Sequence, residues 1–358
     1  MKSDPKVLFR MDAGPNIGLG HLQRCLSLAV ALKELGVSSL FLANEHHTSR
    51  QRVEHFGFPI VTLPEAESWT AEDAENTIKV ALQDGCNTVL VDSHEVRADF
   101  LAQVRSAGMY VIARDDMAQY SVPCQMVVNG NADACQLPYW SSSDDTLFLL
   151  GPKYTVLAQE YWESPERMVP NVVANVLVIV GGSDPFNLTP TILSILDSLL
   201  GEFTVTVVIG PYFQNVSEVE ATAGHGKRRV KLVHSPNTVH DLMLEADLAV
   251  SAAGQALYEL ARVGCPTVAI RLADNQAGQL KALETAGFLR AAGNAEEDDV
   301  VAAVAEALMS LLPDPEVRAA MATVGQRTVD GKGALRVAER ISAGVCSVRA
   351  QFHQRQGG

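Results

Sequence analysis

The sequence lacks the features that mark a membrane-spanning protein or a disulfide-linked scaffold. No apolar run in its 358 residues approaches the ~20 that a helix needs to span a bilayer. The opening MKSDPKVLF has too short an apolar stretch for a secretory signal peptide. The cysteines form no CxxC pair and no cysteine–histidine cluster at zinc spacing; they are Cys25, Cys86, Cys124, Cys135, Cys265 and Cys346. We therefore expect a cytoplasmic globular protein with no bound metal and no cofactor.

The sequence also has little positive charge. Its formal net charge is −14, which argues against a nucleic-acid partner and against membrane insertion, because such surfaces need a basic stripe. A small anionic ligand stays compatible with this charge, since backbone N–H groups at a helix N-terminus can hold phosphate. We expect a monomer or a weak dimer.

What the chain does contain is a regular alternation of strand and helix patterns, which predicts an α/β fold with parallel sheets. In the first half, strands are predicted at 7–11, 39–43, 88–92, 109–113 and 126–129, and helices at 20–35, 71–84 and 98–107. The pattern lapses at 151–172, where prolines and mixed charge indicate an inter-domain connection. In the second half, strands are predicted at 175–180, 204–209, 230–233, 248–251 and 267–270, and helices at 189–200, 239–246, 255–263, 275–286, 298–311 and 315–329.

This order predicts two doubly wound domains facing a central cleft. The first covers 1–155 and the second 172–332; a C-terminal helix at 333–346 packs back on the first domain, and 347–358 is a flexible tail. Such sheets bind ligands at the carboxyl ends of their strands. A cleft between two such edges is a common place for a small-molecule site.

The stretch RMDAGPNIGLGHLQRC provides the first candidate site. Gly18 and Gly20 permit tight turns and close approach of a ligand to the backbone. His21 follows in the first helical turn, where the helix dipole disfavours a protonated imidazole, so His21 is available as a neutral general base. Asp12 is near enough to orient the ring, and Arg24 lies one turn on, on the same helix face.

The alternative is a glycine turn followed by a histidine that faces water, because G-x-G-H alone is not specific. The stretch is not a dinucleotide fingerprint either, since the third glycine and the later acidic residue are missing.

Loops in the second half carry small and polar residues at corresponding strand ends. VIVGGSDPFNLTP follows one strand, SAAGQALYEL follows another, and RLADNQAGQ follows a third. In SAAGQALYEL, a small-residue loop leads from the strand into a helix, and a loop in this position can bind an anion through backbone N–H groups. The candidate residues here are Asp184, Ala253, Gly254, Gln255, Glu259, Asn275 and Gln276. Glu259 is either a surface helix residue or an acceptor for a ribose diol.

Taken together, R-x-D-x-x-x-x-I-G-x-G-H-x-x-R-C-L-x-L-A and S-A-x-G-x-x-x-Y-E-L…G-x-P…A-D-N-Q resemble a known family. It is the UDP-2,4-diacetamido-2,4,6-trideoxy-β-L-altropyranose hydrolases of pseudaminic acid biosynthesis, the PseG/SpsG type, which are similar to MurG-like glycosyltransferases of the GT-B fold. GGSDPFNLT, the RDD…VVNGNA region and VDGKGALRVAERI extend the resemblance over most of the chain.

The resemblance implies a role for each candidate. His21 matches the histidine that activates water, and Asp12 and Arg10 line its loop. Gly254 and its neighbours hold the diphosphate, Glu259 the ribose, and the helix start at Val239 the uracil. Asn275 and Gln276 face the sugar–phosphate region. Arg10, Gly18, Gly20, Arg24 and Asp184 complete the predicted sugar and phosphate contacts.

The sequence departs from the family pattern in two places. The family often has Asp-His-Tyr where this chain has Asp92-Ser93-His94. It often has Tyr-Ala-Leu-Leu-Arg where this chain has Tyr154-Thr155-Val156-Leu157-Ala158, so the arginine of that pattern is replaced by Ala158. Both places border the sugar pocket in the family, so they bear on which sugar is bound.

Three functions fit these motifs. The first is a UDP-sugar hydrolase that inverts the anomeric carbon without a metal. The second is a GT-B glycosyltransferase, with an acceptor hydroxyl in place of water. The third is a non-catalytic protein that binds a nucleotide sugar, which Asp12 and His21 argue against.

Overall fold

The computed structural model describes residues 5–11, 20–44, 47–63, 68–297 and 299–356. The chain divides into two compact units, one formed by Met1–Gln159 with Lys332–Gly358 and the other by Glu160–Gly331. Within the described ranges, no helix combines the length and apolar character that crossing a bilayer requires.

The first unit is a parallel sheet of seven strands in the order β3-β2-β1-β4-β5-β6-β7. The strands are β1 (Lys6–Met11), β2 (Ser38–Asn44), β3 (Ile60–Leu63), β4 (Thr88–Asp92), β5 (Tyr110–Arg114), β6 (Met126–Asn129) and β7 (Leu147–Leu150). The helices are α1 (Gly20–Glu34), α2 (His47–His55), α3 (Ala71–Gln83), α4 (Ala98–Ser106) and, at the end of the chain, α12 (Gly333–Gln356). The central strands β1 and β4 are almost completely buried, as expected for a parallel sheet covered on both faces.

The second unit is a parallel sheet of six strands in the order β10-β9-β8-β11-β12-β13. The strands are β8 (Asn175–Ile179), β9 (Thr204–Ile209), β10 (Val230–His234), β11 (Leu248–Ala252), β12 (Thr267–Arg271) and β13 (Leu289–Asn294). The helices are α5 (Leu188–Ser198), α6 (Val216–His225), α7 (His240–Glu245), α8 (Ala256–Val263), α9 (Ala277–Ala286), α10 (Val300–Leu311) and α11 (Pro315–Thr328). The predicted fold class, two doubly wound parallel sheets, is confirmed.

The sequence patterns missed two helices, α2 and α6, and three strands, β3, β7 and β13. The α2 sequence, HTSRQRVEH, is polar on nearly every face, so it has no apolar periodicity to detect. The four-residue edge strands β3 and β7 are too short to show alternation. At the end of the chain, α12 continues to Gln356, through the segment predicted to be a flexible tail.

In each sheet, the first three strands are added in one direction and the later strands are added on the opposite side of the first strand, so the strand order reverses there. In the first unit the reversal lies between β1 and β4, where Met11 is paired with Asp92. In the second unit it lies between β8 and β11, where Ile179 is paired with Ser251. Ligands of doubly wound sheets bind at these points, beyond the carboxyl ends of the strands.

Two glycines enclose Thr155 inside the first unit. A Cβ on Gly130 would lie 2.5 Å from the Thr155 Cα, and one on Gly333 would lie 2.0 Å from the Thr155 carbonyl oxygen. The Thr155 hydroxyl donates a hydrogen bond of 2.6 Å to the Gly130 carbonyl. The first residue of α12 thus packs tightly against a segment that precedes it by about half the length of the chain.

The predicted connection 151–172 is packed over much of its length. Thr155 and Leu157 are buried in the first unit, and Tyr161 is buried in the second. Arg262 donates a hydrogen bond of 2.8 Å to the Tyr161 carbonyl. A Cβ on Gly331 would lie 2.3 Å from the same carbonyl oxygen, so the two ends of the second unit are adjacent.

Candidate functional site

The strand-order reversal of the first unit brings His21 and Asp92 together. His21 is the second residue of α1, and Asp92 ends β4. Their side chains form a hydrogen bond of 2.8 Å between His21 Nδ1 and Asp92 Oδ1. The Asp92 carboxylate is completely buried, and the His21 side chain is 9% exposed.

The Asp92 carboxylate is held by several donors. Arg24 Nε donates to Asp92 Oδ2 at 2.7 Å, and Arg24 Nη2 donates to Oδ1. The Cys25 thiol donates to Oδ2 at 3.4 Å, and the Arg114 guanidinium lies 3.6 Å away. Burial would raise the pKa of Asp92, but Arg24 and His21 outweigh burial and hold that pKa below its ordinary value. Asp92 is therefore an anion whenever the protein is folded at neutral pH.

Two groups face His21 Nδ1: the Asp92 anion, which favours a proton on this nitrogen, and Arg24 Nη2, which lies 2.9 Å away and can only donate. Arg24 Nη2 also donates to Asp92 Oδ1, so its contact with Nδ1 is not its sole bond. If Nδ1 were unprotonated, its lone pair would face the lone pairs of Asp92 Oδ1 across 2.8 Å. A proton on Nδ1 replaces this repulsion with a charge-assisted hydrogen bond. The neutral ring then has its lone pair on Nε2, where it can accept a proton from another molecule.

The His21 ring is neutral for reasons other than the one the sequence predicted. Burial lowers its pKa, and the Arg24 charge lowers it further, while Asp92 raises it. The sequence prediction relied on the helix dipole to keep the ring neutral. It also placed Asp12 beside the ring, whereas Asp92 is the carboxylate that is hydrogen-bonded to it. The alternative of a water-facing histidine is wrong, because His21 is only 7% exposed.

Arg24 extends the network to a second carboxylate. Arg24 Nη1 donates to Asp116 Oδ2 at 2.8 Å. His94 Nε2 lies 3.6 Å from the same oxygen, and the His94 ring packs edge-on against His21, with ring centroids 4.7 Å apart. Arg24, predicted to bind sugar or phosphate, is thus engaged with two protein carboxylates.

A polar cavity of about 1110 Å³ adjoins this network. It is lined by the loops that follow β4 and β5 and by the segment that precedes α3. Ser93, His94, Gln119 and Tyr120 are among its lining residues. His94 both lines the cavity and contacts the His21 ring, so His94 links the cavity to the candidate base.

The predicted ligand contact Arg10 has a structural role in the fold. Its side chain is fully buried and forms two hydrogen bonds with the Asp73 carboxylate, of 3.1 and 2.7 Å. The guanidinium also stacks over the Trp69 ring, 4.4 Å from its centroid. Trp69 lies in the left-handed region, with φ 64°, and lines the cavity. Arg10 therefore supports the cavity wall in place of the predicted contact.

The loop between β11 and α8 contains Ala253, Gly254 and Gln255. Among the described residues, nothing requires glycine at position 254: its φ is not positive, and the nearest atom to an added Cβ is Gln276 Nε2 at 3.9 Å. The Gln276 side-chain carbonyl accepts a hydrogen bond of 2.8 Å from the Leu272 N–H, which leaves its amide group on the side of Gly254. The loop, the start of α8 and this amide together form a candidate anion site.

The other predicted residues of the second unit differ in their surroundings. The Asp184 carboxylate is buried and accepts hydrogen bonds of 2.9 Å from the N–H groups of Leu188 and Thr189, so it caps α5 and is not free for a ligand. Val239 directly precedes α7, Glu259 is partly buried on α8, and Asn275 is exposed beside Gln276.

Two predicted residues, Asp12 and Gly18, lie outside the described residues. Gly20 begins α1, and an added Cβ there would meet nothing within 4 Å. As at position 254, the residues that the structure describes give no reason for glycine here.

Asp92, Asp116 and His94 had no predicted role, although the resemblance placed Asp92-Ser93-His94 at the border of the sugar pocket. A usable signal was present for Asp92: it ends the strand TVLVD, which is the neighbour of β1 in a doubly wound sheet. Asp116 and His94 gave no comparable signal, because their proximity to Arg24 and His21 depends on two loop conformations. In the described part of the chain, no three histidine, cysteine or carboxylate side chains are grouped to hold a metal.

The chain is similar in sequence to the three proteins described next. No protein-family model matches it. It is 24% identical to the spore coat polysaccharide biosynthesis protein SpsG of Bacillus subtilis, over 91% of this chain and 94% of that protein. It is 24% identical to the Helicobacter pylori pseudaminic acid cytidylyltransferase and UDP-2,4-diacetamido-2,4,6-trideoxy-beta-L-altropyranose hydrolase, over 76% of this chain and 46% of that protein. It is 26% identical to the uncharacterized protein MJ1062 of Methanocaldococcus jannaschii, over 74% and 55%. The chain spans about half the length of the last two.

Solved structures show the same fold at low sequence identity. MurG of Acinetobacter baumannii matches 95% of this chain with a TM-score of 0.67 and 16% identity. Anabaena HepE, in complex with UDP-glucose, matches 94% with a TM-score of 0.59 and 14% identity. The fold is therefore that of the GT-B glycosyltransferases, and the relatives, together with MurG, support the resemblance of this chain to the PseG/SpsG-type UDP-sugar hydrolases.

Proposed function

We propose that this protein hydrolyses a UDP-linked diacetamido-trideoxyhexose to UDP and the free sugar. The observation that carries the proposal is the bond between His21 Nδ1 and the buried Asp92 carboxylate, because a neutral ring with its proton on Nδ1 has a basic Nε2. The sequence relatives support the substrate class, since one of them is named for hydrolysis of such a UDP-sugar and another for polysaccharide biosynthesis.

In the proposed reaction, His21 acts as a general base on water. The water oxygen attacks the anomeric carbon, and the bond between that carbon and the diphosphate oxygen breaks as the new bond forms. His21 Nε2 takes the proton from water, and the electron pair of the broken bond leaves with UDP. A single displacement inverts the anomeric centre. The Asp92 anion stabilises the imidazolium formed in the transition state, which is the role of a buried carboxylate next to a base.

The second unit supplies the proposed UDP contacts. N–H groups of the Gly254 loop and the start of α8 would accept the diphosphate, and the negative charge that grows on the leaving group would be stabilised there. Glu259 would accept hydrogen bonds from the ribose hydroxyls, and the backbone at Val239 would contact the uracil. Gln276 has an amide group on the Gly254 side and would donate to the sugar–phosphate region.

The cavity beside His94 is the proposed place for the sugar. Its lining combines hydroxyl, amide and aromatic groups, including Gln119 and Tyr120, which suit the acetamido substituents of the proposed substrate. Ser93 and His94, where the chain departs from the family pattern, both line this cavity and would contact the sugar.

The test is to incubate the protein with UDP-2,4-diacetamido sugars in H₂¹⁸O, without any acceptor. We expect stoichiometric UDP and a free sugar that carries the label, because water attacks carbon. Label in UDP would mean attack at phosphorus and would overturn the mechanism.

A glycosyltransferase is the second candidate, and the GT-B neighbours are the observation that favours it. A transferase needs an acceptor hydroxyl in place of water. Absence of UDP release in buffer alone, followed by release when an acceptor is added, would favour this candidate over hydrolysis.

The pH dependence follows from the neighbours of His21. The base works only when neutral, so kcat/KM falls as the pH drops through the His21 pKa, which lies below the ordinary value of about 6.5. Asp92 raises that pKa, so Asp92→Asn should move the acid limb of the profile to lower pH, and should lower the plateau because the ring loses its proton-fixing partner. Profiles from about pH 4 to about pH 9 check this, with the exposed Asp84→Asn as control. An acid limb that moves upward would contradict the assignment.

A further inference from the structure

A buried glutamine that was not among the predicted site residues lies behind the Gly254 loop and holds it by a hydrogen bond. Gln279 is the third residue of α9 and is 6% exposed. Its Nε2 donates a hydrogen bond of 2.5 Å to the Ala253 carbonyl. Its Oε1 accepts a hydrogen bond of 2.8 Å from the hydroxyl of Tyr258, which is 1% exposed. Both ends of the Gln279 amide are therefore occupied inside the protein.

These bonds fix the orientation of one particular peptide unit. The Ala253 N–H already donates to the Ile270 carbonyl at 2.8 Å, which continues the β11–β12 ladder by one residue. Gln279 then holds the Ala253 carbonyl toward the interior. Because a trans peptide is planar, the N–H of Gly254 points opposite to that carbonyl, away from Gln279.

The Ala253 carbonyl can only accept, so it sets which end of the Gln279 amide faces it, and the Tyr258 hydroxyl donates to the other end. A hydroxyl that donates to Oε1 leaves Nε2 as the group next to the Ala253 carbonyl. If the amide turned over, its oxygen would face the Ala253 carbonyl oxygen, and two acceptors would meet in a buried place. The chain from Tyr258 through Gln279 to Ala253 therefore permits a single orientation of the loop.

We propose that Gln279 is a positioning residue that aims the Gly254 N–H at the diphosphate of the substrate, with Tyr258 holding Gln279 in place. This inference rests on the proposed function, since it assigns the diphosphate to this loop. Gln279 does not touch the ligand; it acts through the peptide between Ala253 and Gly254.

The test compares UDP with uridine as ligands in titration calorimetry. Gln279→Met keeps the length of the side chain and removes both hydrogen bonds, so UDP affinity should fall by about tenfold, the worth of one hydrogen bond to a charged group. Tyr258→Phe should lower it by a smaller factor. Uridine affinity should stay unchanged in both variants, because uridine has no phosphate.

Gln326→Met is the matched control. Gln326 also donates to backbone carbonyls in this unit, those of Pro165 and Arg262, so its loss measures the general effect of unpairing a glutamine. We expect a similar loss of thermal stability and no change in UDP affinity. Equal losses for UDP and uridine, unchanged UDP affinity in Gln279→Met, or an equal loss in Gln326→Met would each overturn the inference.

A second measurement separates this inference from the proposed function. Amide hydrogen exchange without ligand should be faster at Gly254 and Gln255 in Gln279→Met than in the wild type, because the peptide is no longer held. Wild-type protein that binds no UDP refutes the proposed function, and unchanged exchange at this loop refutes the positioning role.

Discussion

Replacing His21 with asparagine should lower turnover of the UDP-sugar by about 10²–10⁴-fold, the usual contribution of a general base. UDP affinity should change little, because the proposed nucleotide contacts lie in the other unit. The reason for the loss is specific: an asparagine can still accept or donate one hydrogen bond at Asp92, but it has no basic nitrogen to take the proton from water. Single-turnover kinetics and UDP titration measure the two quantities separately.

His55→Asn is the matched control for this prediction. His55 ends α2 in the same unit and is exposed, so its replacement should leave turnover unchanged. If His21→Asn retains wild-type turnover, His21 is not the base and the proposed mechanism is wrong. If it loses UDP binding to the same extent as turnover, His21 serves binding and not proton transfer.

Replacing Gly333 with alanine should cost about 3 kcal/mol of the free energy of unfolding of the first unit, the upper part of the range for overpacked sites. The added Cβ would lie 2.0 Å from the Thr155 carbonyl oxygen, and this neighbour is backbone, which cannot rotate away. Either α12 or the segment around Thr155 must shift, and Thr155 is itself held by its bond to Gly130. Denaturant unfolding, followed by a probe in the first unit, checks the loss.

Gly20→Ala provides the contrast. An added Cβ at Gly20 meets nothing within 4 Å, and alanine favours helix over glycine by up to about 1 kcal/mol, so stability should stay level or rise. A Gly333→Ala protein of wild-type stability with an undisturbed α12 would contradict the expected clash with Thr155.

Much of the fold follows from the sequence because the buried parallel strands are continuous apolar runs. β4, β6 and β9 are predicted with the bounds that the structure has, since each is bordered by clear turn residues. The elements that were missed lack that contrast: α2 is polar, and β7 is a four-residue strand at the sheet edge. Long buried segments leave a strong signal, and short or solvated ones do not.

The sequence predicts those parts of the candidate site that lie within one continuous loop. The Gly20–His21 turn and the Gly254 loop are recognisable because glycine and polar residues follow strands directly. The partner of His21 was predicted to be Asp12, close in sequence, whereas Asp92 is close in space through strand pairing. Contacts such as those from Arg24 to Asp116 depend on side-chain placement across several strands, which local patterns do not encode.

The adjacency of Tyr161 and Gly331, together with the return of α12 to the first unit, has a consequence for synthesis on the ribosome. The nascent chain emerges from its N-terminus, and domains generally fold as they become available. The second unit is complete once Gly331 has emerged, whereas the first still waits for α12 to close over Thr155. The part of the protein that is translated first should therefore be the last to reach its native state.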